Sequence, residues 1–279
     1  MLLRIGEGAY GEVWLARTVT GVLRAVKVVY RSRFDNDRPY EREFAGIRKF
    51  EPISRSHEGL VDVLQVGRNE AEGYFYYVME LADEADPKAA AATPEFSGKV
   101  PDSLVSRYVP KTLGHELNRR HHFPPAECRE IGLALTAALE HLHGCDLVHR
   151  DVKPSNIIFV GGVLKLADIG LVTEPGESRT RVGTEGYIPP EGSGSAQGDL
   201  FSLGRVLYEL TTGKNRDRYP EPPTDLAAMP EREQLQELNE VILRACDPDR
   251  RRRYGSATEM RSDLLLLQGG KSLQRLRLV

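Results

Sequence analysis

Residues 149–156 of this chain place three side chains with different chemical abilities in one short segment. The segment reads His149-Arg150-Asp151-Val152-Lys153-Pro154-Ser155-Asn156. Asp151 is suited to accept the proton of an attacking hydroxyl, Lys153 to neutralise a phosphoryl group in transit, and Asn156 to ligate a metal ion. A polar surface turn of the same composition is the alternative, because a motif remains a hypothesis until its context agrees.

Three glycines near the N-terminus supply part of that context. Gly6, Gly8 and Gly11, followed by Val13, form the pattern G-x-G-x-x-G-x-V. Dinucleotide-binding folds share the glycines, but there a helix follows them. Here β-branched and apolar residues predict strands near 12–18 and 22–30. Glycines in a hairpin between strands let backbone amides approach a triphosphate closely.

The strand predicted at 22–30 carries Lys27, whose ammonium is suited to the α- and β-phosphates of a nucleotide. We expect its acidic partner on the helix that apolar spacing predicts at 39–50. Glu43 falls on the inward side of that helix, whereas Glu41 leans towards solvent. Glu43 is therefore the predicted partner, and Glu41 is the alternative.

A second candidate metal ligand follows the catalytic segment. A strand predicted at 163–167 ends in Asp168, just before Ile169-Gly170. A carboxylate in this position can chelate a magnesium ion that bridges nucleotide phosphates. The run Gly-Thr-Glu-Gly-Tyr-Ile-Pro-Pro-Glu at 183–191 closes the next segment, and Asp199 is expected to open a strongly apolar helix.

Together these motifs resemble the eukaryotic-type (Hanks-type) protein kinases and are most similar to the bacterial serine/threonine kinases. They run in the family's order from Ile5 to about Met260. The resemblance implies an α+β fold with two lobes that hold ATP between them. An antiparallel β-sheet with one helix would form the N-lobe at about 1–79, followed by a hinge at about 80–82. A mainly helical C-lobe would occupy about 83–279.

The resemblance also implies roles that spacing alone does not. The implied nucleotide contacts are Val13 and Ala25 above the adenine, Ile158 below it, Glu80 to Ala82 as the hinge, and Met79 guarding the deeper pocket. The implied structural roles are a Glu191–Arg253 pair, Asp199 as a brace of the catalytic loop, and Thr184 in substrate docking. Regulation by phosphorylation is implied by Arg150, with Ser178 and Thr180 as the better placed hydroxyls.

The chain departs from the family pattern in three places. Ile169 replaces the aromatic residue of Asp-Phe-Gly, and Pro189-Pro190-Glu191 replaces Ala-Pro-Glu. Neither change removes a ligand atom, so we expect altered switching and intact chemistry. The third is the segment at 83–107, whose length favours a mobile or functional element at the cleft mouth. A surface loop without a role is the alternative.

The predicted activity is transfer of the γ-phosphoryl group of ATP to Ser or Thr hydroxyls of proteins, with Mg²⁺ or Mn²⁺. Two alternatives remain open: a pseudokinase that serves as a nucleotide-binding scaffold, and a small-molecule phosphotransferase. The run at 183–191 argues against a small-molecule phosphotransferase, because such an enzyme has little use for a peptide-docking segment.

Bulk properties exclude other classes. A formal net charge of −3 argues against a nucleic-acid binder, and no run reaches the ~18 to 20 apolar residues of a membrane span. The 3 cysteines are widely spaced, which predicts neither disulfides nor a zinc site and favours a reducing, cytoplasmic compartment. The tight termini suit either a stand-alone kinase or the cytoplasmic domain of a membrane-tethered protein. The oligomeric state is not predicted.

Overall fold

The computed structural model describes residues 1–8, 10–86, 107–168, 183–224 and 229–273. The chain divides into two compact units, which are described separately below. The first unit combines residues 1–112 with residues 158–170, and the second combines residues 113–157 with residues 171–279.

A five-stranded antiparallel sheet forms most of the first unit. Its strands are β1 (Leu3–Glu7), β2 (Gly11–Arg17), β3 (Leu23–Tyr30), β4 (Val63–Asn69) and β5 (Tyr74–Met79). They lie in the order β1-β2-β3-β5-β4. In β5 the alternate residues Phe75, Tyr77 and Met79 are buried, as expected for a strand with one face on the core. The predicted antiparallel sheet is therefore confirmed.

Helix α1 (Asp37–Ser54) carries the apolar face predicted from spacing. Tyr40, Ile47 and Phe50 are all buried, and the rings of Tyr40 and Phe75 lie 5.3 Å apart. The helix begins earlier than the predicted 39–50 because Asn36 caps it, accepting a hydrogen bond from the backbone of Arg38. It also continues one turn beyond Phe50, the last residue of the predicted helix.

A short hairpin of β6 (Ile157–Val160) and β7 (Val163–Leu166) completes the first unit. Its turn is Gly161-Gly162, and both glycines have positive φ. The carboxylate of Asp83 accepts hydrogen bonds from their two backbone N–H groups, at 2.7 and 2.8 Å. The prediction included β7, which leads into the Asp168-Ile169-Gly170 motif, but not β6, because a four-residue apolar run alone does not distinguish a strand from other buried segments.

The two ends of the long segment after the hinge are hydrogen-bonded to each other. Ala85 N donates to Val109 O at 2.9 Å, and Lys111 N donates to Asp83 O at 2.7 Å. We call residues 108–112 the return strand. It also pairs with β6, since Phe159 N donates to Lys111 O at 3.0 Å. These bonds explain why residues 83–86 and 107–112 belong to the first unit, although the predicted boundary between the lobes lies at the hinge. Residues 87–106 lie outside the described part.

The described part of the second unit is mainly helical, as predicted. Its helices are α2 (Leu113–Arg120), α3 (Pro125–Gly144), α4 (Ala196–Thr212), α5 (Arg232–Ala245) and α6 (Ala257–Gln268). Helix α4 begins before Asp199, because Ser195 caps it by accepting a hydrogen bond from Gly198 N. Asp199 therefore lies in the first turn and does not open the helix. Among the described residues, no helix has the length and apolarity needed to cross a bilayer.

The paired ends of the post-hinge segment predict that the intervening residues can be removed. We expect replacement of residues 87–106 by a short Gly/Ser linker to change the thermal midpoint by only about 3 °C, because closing a loop depends weakly on its length. Extending the replacement to residue 111 also removes most of the return strand, so this control should lower the midpoint further. Equal midpoints for the two deletions, measured by circular dichroism, would contradict the structural role of the return strand.

Candidate active site

The carboxylate of Asp151 is the centre of a buried polar cluster in the second unit. Its Oδ1 accepts hydrogen bonds from Thr184 Oγ1 at 2.8 Å and from Thr184 N at 3.0 Å. Its Oδ2 lies 2.7 Å from Lys153 Nζ and 2.9 Å from Asn156 Nδ2. Lys153 Nζ also donates to Thr184 Oγ1 at 2.7 Å. A carboxylate that contacts both a hydroxyl and an ammonium can accept a proton while the cation stabilises a neighbouring anion.

Asp199 holds the loop that carries Asp151. Its Oδ2 accepts hydrogen bonds from His149 N at 2.8 Å, and its Oδ1 accepts one from Arg150 N at 2.7 Å. The Asp199 side chain is fully buried, and His143 Nε2 lies 2.8 Å from the same Oδ2. Arg150 has a φ of 73°, a conformation that costs a non-glycine residue free energy and persists only when its surroundings enforce it. The two backbone bonds to Asp199 supply that constraint.

A second ion pair anchors the segment at 183–191. Arg253 donates to Glu191 through both terminal nitrogens, at 2.5 and 3.1 Å, a bidentate geometry that is among the stronger protein ion pairs. Arg253 is buried, and it is the residue that the resemblance implied as the partner of Glu191. The hydroxyl of Tyr187, in the same segment, bonds to Glu209 of α4.

In the first unit, Lys27 of β3 forms an ion pair with Asp168, which follows β7. Burial lowers the pKa of Lys27, but the charge and hydrogen bond of Asp168, together with the charges of Tyr77 and Glu43, more than offset this, so the pKa lies above its usual value. Lys27 is therefore a buried cation at all pH values near neutrality. Asp168 itself has a φ of 57°, so the chain turns sharply where the carboxylate leaves the strand.

Glu43 is buried beside this ion pair, with 6% of its surface exposed. Burial raises its pKa to about 7, while the charge of Lys27 opposes the rise and the charge of Asp168 adds to it. Among the described residues the ion pair of Lys27 is with Asp168, and the predicted partner Glu43 acts on Lys27 through its charge. Glu41 instead pairs with Arg68 and Arg31, so the alternative partner of Lys27 is engaged elsewhere.

The predicted glycine hairpin is present between β1 and β2. Gly11 is required sterically, since a Cβ there would lie 2.2 Å from Val28 O, whereas a Cβ at Gly8 would have no atom within 4 Å. A Cβ at Gly6 would make only ordinary contacts with Val13. Gly8 N donates to Gly11 O at 2.9 Å, which closes the turn. The open space at Gly8 suits close approach by a phosphate.

The residues implied to surround the adenine are also in the first unit. Val13 pairs with Lys27 across β2 and β3, and Ala25 pairs with Met79 across β3 and β5. Glu80, the first hinge residue, accepts a hydrogen bond from Lys165 Nζ at 2.6 Å. Ile158 forms an isolated bridge with Thr112 of the return strand.

The chemistry of the two implied metal ligands suits a hard divalent cation. Asn156 uses its amide nitrogen to donate to the backbone and side-chain oxygens of Asp151, both at 2.9 Å. Neither bond uses the amide oxygen, which is the atom that ligates a metal. Asp168 offers a carboxylate, and oxygen donors of these two kinds are the ones that Mg²⁺ prefers.

Some residues named from the sequence lie outside the described part of the chain: Ser178, Thr180 and Ile169.

Other residues contact the predicted site but were not predicted themselves. They are His143, which contacts Asp199; Tyr77, which lies beside Lys27; Lys165, which donates to Glu80; and Tyr108, which donates to Ala82. Their partners are distant in sequence, so no local pattern marks them.

The sequence of this chain is similar to those of known protein kinases. A model of the protein kinase domain matches residues 2–260. The serine/threonine-protein kinase AfsK of Streptomyces griseus is 32% identical over 226 residues, covering 76% of this chain and 24% of that protein. The serine/threonine-protein kinase PknB of Mycobacterium leprae is 27% identical over 291 residues, covering 96% of this chain and 42% of that protein. The chain thus spans less than half the length of each relative.

The raised pKa of Glu43 predicts a specific pH dependence of stability. Because the folded-state pKa of about 7 exceeds the usual 4.5, the native state holds an extra proton between these values. Stability should therefore fall as pH rises from 5 to 7.5, by about 3 kcal/mol at most. Glu43→Gln, which has no proton to lose, should flatten this part of the profile, measured by urea unfolding at each pH.

Glu41→Gln is the matched control on the same helix. Hydrogen bonding to Arg68 lowers the pKa of Glu41, so the stability it contributes is lost only as pH falls through the acidic range. The control should therefore keep the decline between pH 5 and 7.5. Parallel profiles for wild type and Glu43→Gln would disprove the assignment.

Proposed function

Because the chain belongs to the protein kinase family, we propose that it transfers the γ-phosphoryl group of ATP to serine or threonine hydroxyls of proteins. The observation that carries this proposal is the contact of Thr184 Oγ1 with Asp151 Oδ1 at 2.8 Å and with Lys153 Nζ at 2.7 Å. An aliphatic hydroxyl thus already lies against the proposed base and the proposed phosphate-neutralising cation. A substrate serine or threonine would present the same group.

In this reaction the acceptor hydroxyl gives its proton to Asp151, and its oxygen bonds to the γ-phosphorus as the bond to the β–γ bridging oxygen breaks. ADP leaves with the electrons of that bond, and Lys153 stabilises the negative charge of the group in transit. Lys27 would bind the α- and β-phosphates, exchanging its ion pair with Asp168 for contacts with the nucleotide. Glu43 would then be the carboxyl that orients Lys27.

The family uses ATP with a divalent metal, and we propose Mg²⁺ or Mn²⁺ for this chain, held by Asn156 and Asp168. The cation would neutralise phosphate charge. The hinge at Glu80 to Ala82, with Val13, Ala25 and Ile158, would bind the adenine, and Met79 would limit the depth of the pocket. The backbone amides near Gly6, Gly8 and Gly11 would contact the phosphates.

We also propose that phosphorylation of Ser178 or Thr180 activates the enzyme through Arg150. Arg150 directly precedes Asp151 in the chain, and Asp199 fixes the backbone of Arg150. A guanidinium in this place is suited to a phosphate, because it offers two parallel N–H donors. Such a pair would shift the balance between inactive and active states by a few kcal/mol at most.

The proposed activity is tested with labelled ATP, Mg²⁺ and a generic protein substrate, comparing wild type with two variants. Asp151→Asn should lower turnover by at least about 100-fold, since it removes the base, while the Kd for ATP changes little. Asp168→Asn should weaken Mg²⁺-dependent ATP binding as well as turnover, because it removes a metal ligand. Tight ATP binding by a wild type that transfers no phosphate would favour a nucleotide-binding scaffold instead.

The proposed activation mechanism predicts that the segment between Gly170 and Thr184 becomes phosphorylated. After incubation with ATP, mass spectrometry should find phosphate on Ser178 or Thr180 of the wild type and none in the Asp151→Asn control. The double variant Ser178→Ala/Thr180→Ala should retain only a small part of the activity, because it has no hydroxyl for the activating phosphate at either position. Full activity of the double variant, with no phosphate in this segment of the wild type, would contradict the mechanism.

A further inference from the structure

The hinge is anchored on both sides by hydrogen bonds to other parts of the first unit. At its first residue, Glu80 N donates to Asp62 O at 3.1 Å. After it, the peptide group that joins Ala82 to Asp83 is held at both of its polar atoms. Its N–H, from Asp83, donates to Phe159 O at 2.6 Å, and its carbonyl, from Ala82, accepts a bond from Tyr108 Oη at 2.8 Å.

Two peptide groups remain between these anchors. Among the described residues, neither the carbonyl of Glu80 nor the N–H of Ala82 makes a hydrogen bond. They are an acceptor and a donor on one short segment, and the edge of an adenine offers the complementary donor and acceptor. The orientation of these two groups depends on the anchored peptides on each side, since rotation of one peptide group changes the dihedral angles of the next.

Tyr108 is well suited to anchor the second peptide group. It belongs to the return strand, which bonds to residues 83–85 on one side and to β6 on the other. Burial, with added effects from the carboxylates of Glu84 and Asp83, raises the pKa of its hydroxyl, so the group remains a neutral donor. The return strand also bonds to the strand that carries Ile158, the residue implied to lie below the adenine.

We propose that Tyr108 is a positioning residue for the nucleotide base: by holding the carbonyl of Ala82, its hydroxyl fixes the hinge groups that bind adenine. The proposal rests on the proposed function, because the hinge binds adenine only if the chain uses ATP. Tyr108 lies 26 positions beyond its hinge partner, after the long segment at 83–107. This role of Tyr108 connects the segment at 83–107 with the affinity for nucleotide, because the last residue of the segment directly precedes Tyr108.

The test is Tyr108→Phe in the full chain, which removes only the hydroxyl. We expect KM and Kd for ATP to rise about threefold to tenfold, from the usual worth of one hydrogen bond, with kcat within about twofold of wild type. The Kd for magnesium tripolyphosphate, which has phosphates but no base, should not change. Tyr76→Phe is the matched control, because it removes a hydroxyl from β5 whose nearest partner, Gln65, is 3.5 Å away.

Two outcomes would overturn the proposal. One is an unchanged Kd for ATP in Tyr108→Phe; the other is an equal loss of affinity for ATP and tripolyphosphate, which would indicate general damage to the unit. The binding measurements are independent of catalysis. If the wild type bound ATP but transferred no phosphate, the proposed activity would fail while the Kd of Tyr108→Phe still decided the role of Tyr108.

Discussion

The buried carboxylate of Asp199 organises the proposed catalytic loop of the second unit. A charge removed from water must be compensated by hydrogen bonds, and Asp199 receives them from two consecutive backbone N–H groups and from the ring of His143. Satisfying Asp199 in this way forces Arg150 into a left-handed conformation. The next residue, Asp151, then emerges from a backbone with little freedom. The position of the proposed base is thus fixed by a residue that is far away in sequence.

The buried charged groups of the two units are restrained by their neighbours in different ways. In the second, Asp151 binds an ammonium, an amide and a hydroxyl at once, so each partner restrains the others. In the first, Lys27 has one direct carboxylate and a second one of raised pKa nearby. Tyr77 is buried in the same place, beside the ammonium of Lys27. The first cluster therefore has fewer direct contacts than the second, which suits groups that are proposed to exchange partners when a nucleotide binds.

Local patterns predicted most of the fold because they depend on neighbours in sequence. Strands β2, β3 and β7 and helix α1 lie within a few residues of their predicted bounds. The failures have local causes as well: no motif marks the four-residue strand β6, and the caps Asn36 and Ser195 precede the apolar residues that mark their helices. Contacts between residues that are distant in sequence were harder to predict. Motif order brought Glu191 together with Arg253, but nothing near Lys27 indicated that Asp168 would be its partner.

The bond from Tyr108 to the Ala82 carbonyl has a consequence for small molecules that compete with ATP. A compound designed for the hinge gains affinity from each backbone group it engages, and a carbonyl at the exit of the hinge is a possible acceptor. Here a phenol of the protein already donates to that oxygen. Inhibitor scaffolds that direct a donor towards this oxygen would share it with the phenol or displace the phenol, whereas scaffolds that engage only the carbonyl of Glu80 and the N–H of Ala82 would leave this bond intact.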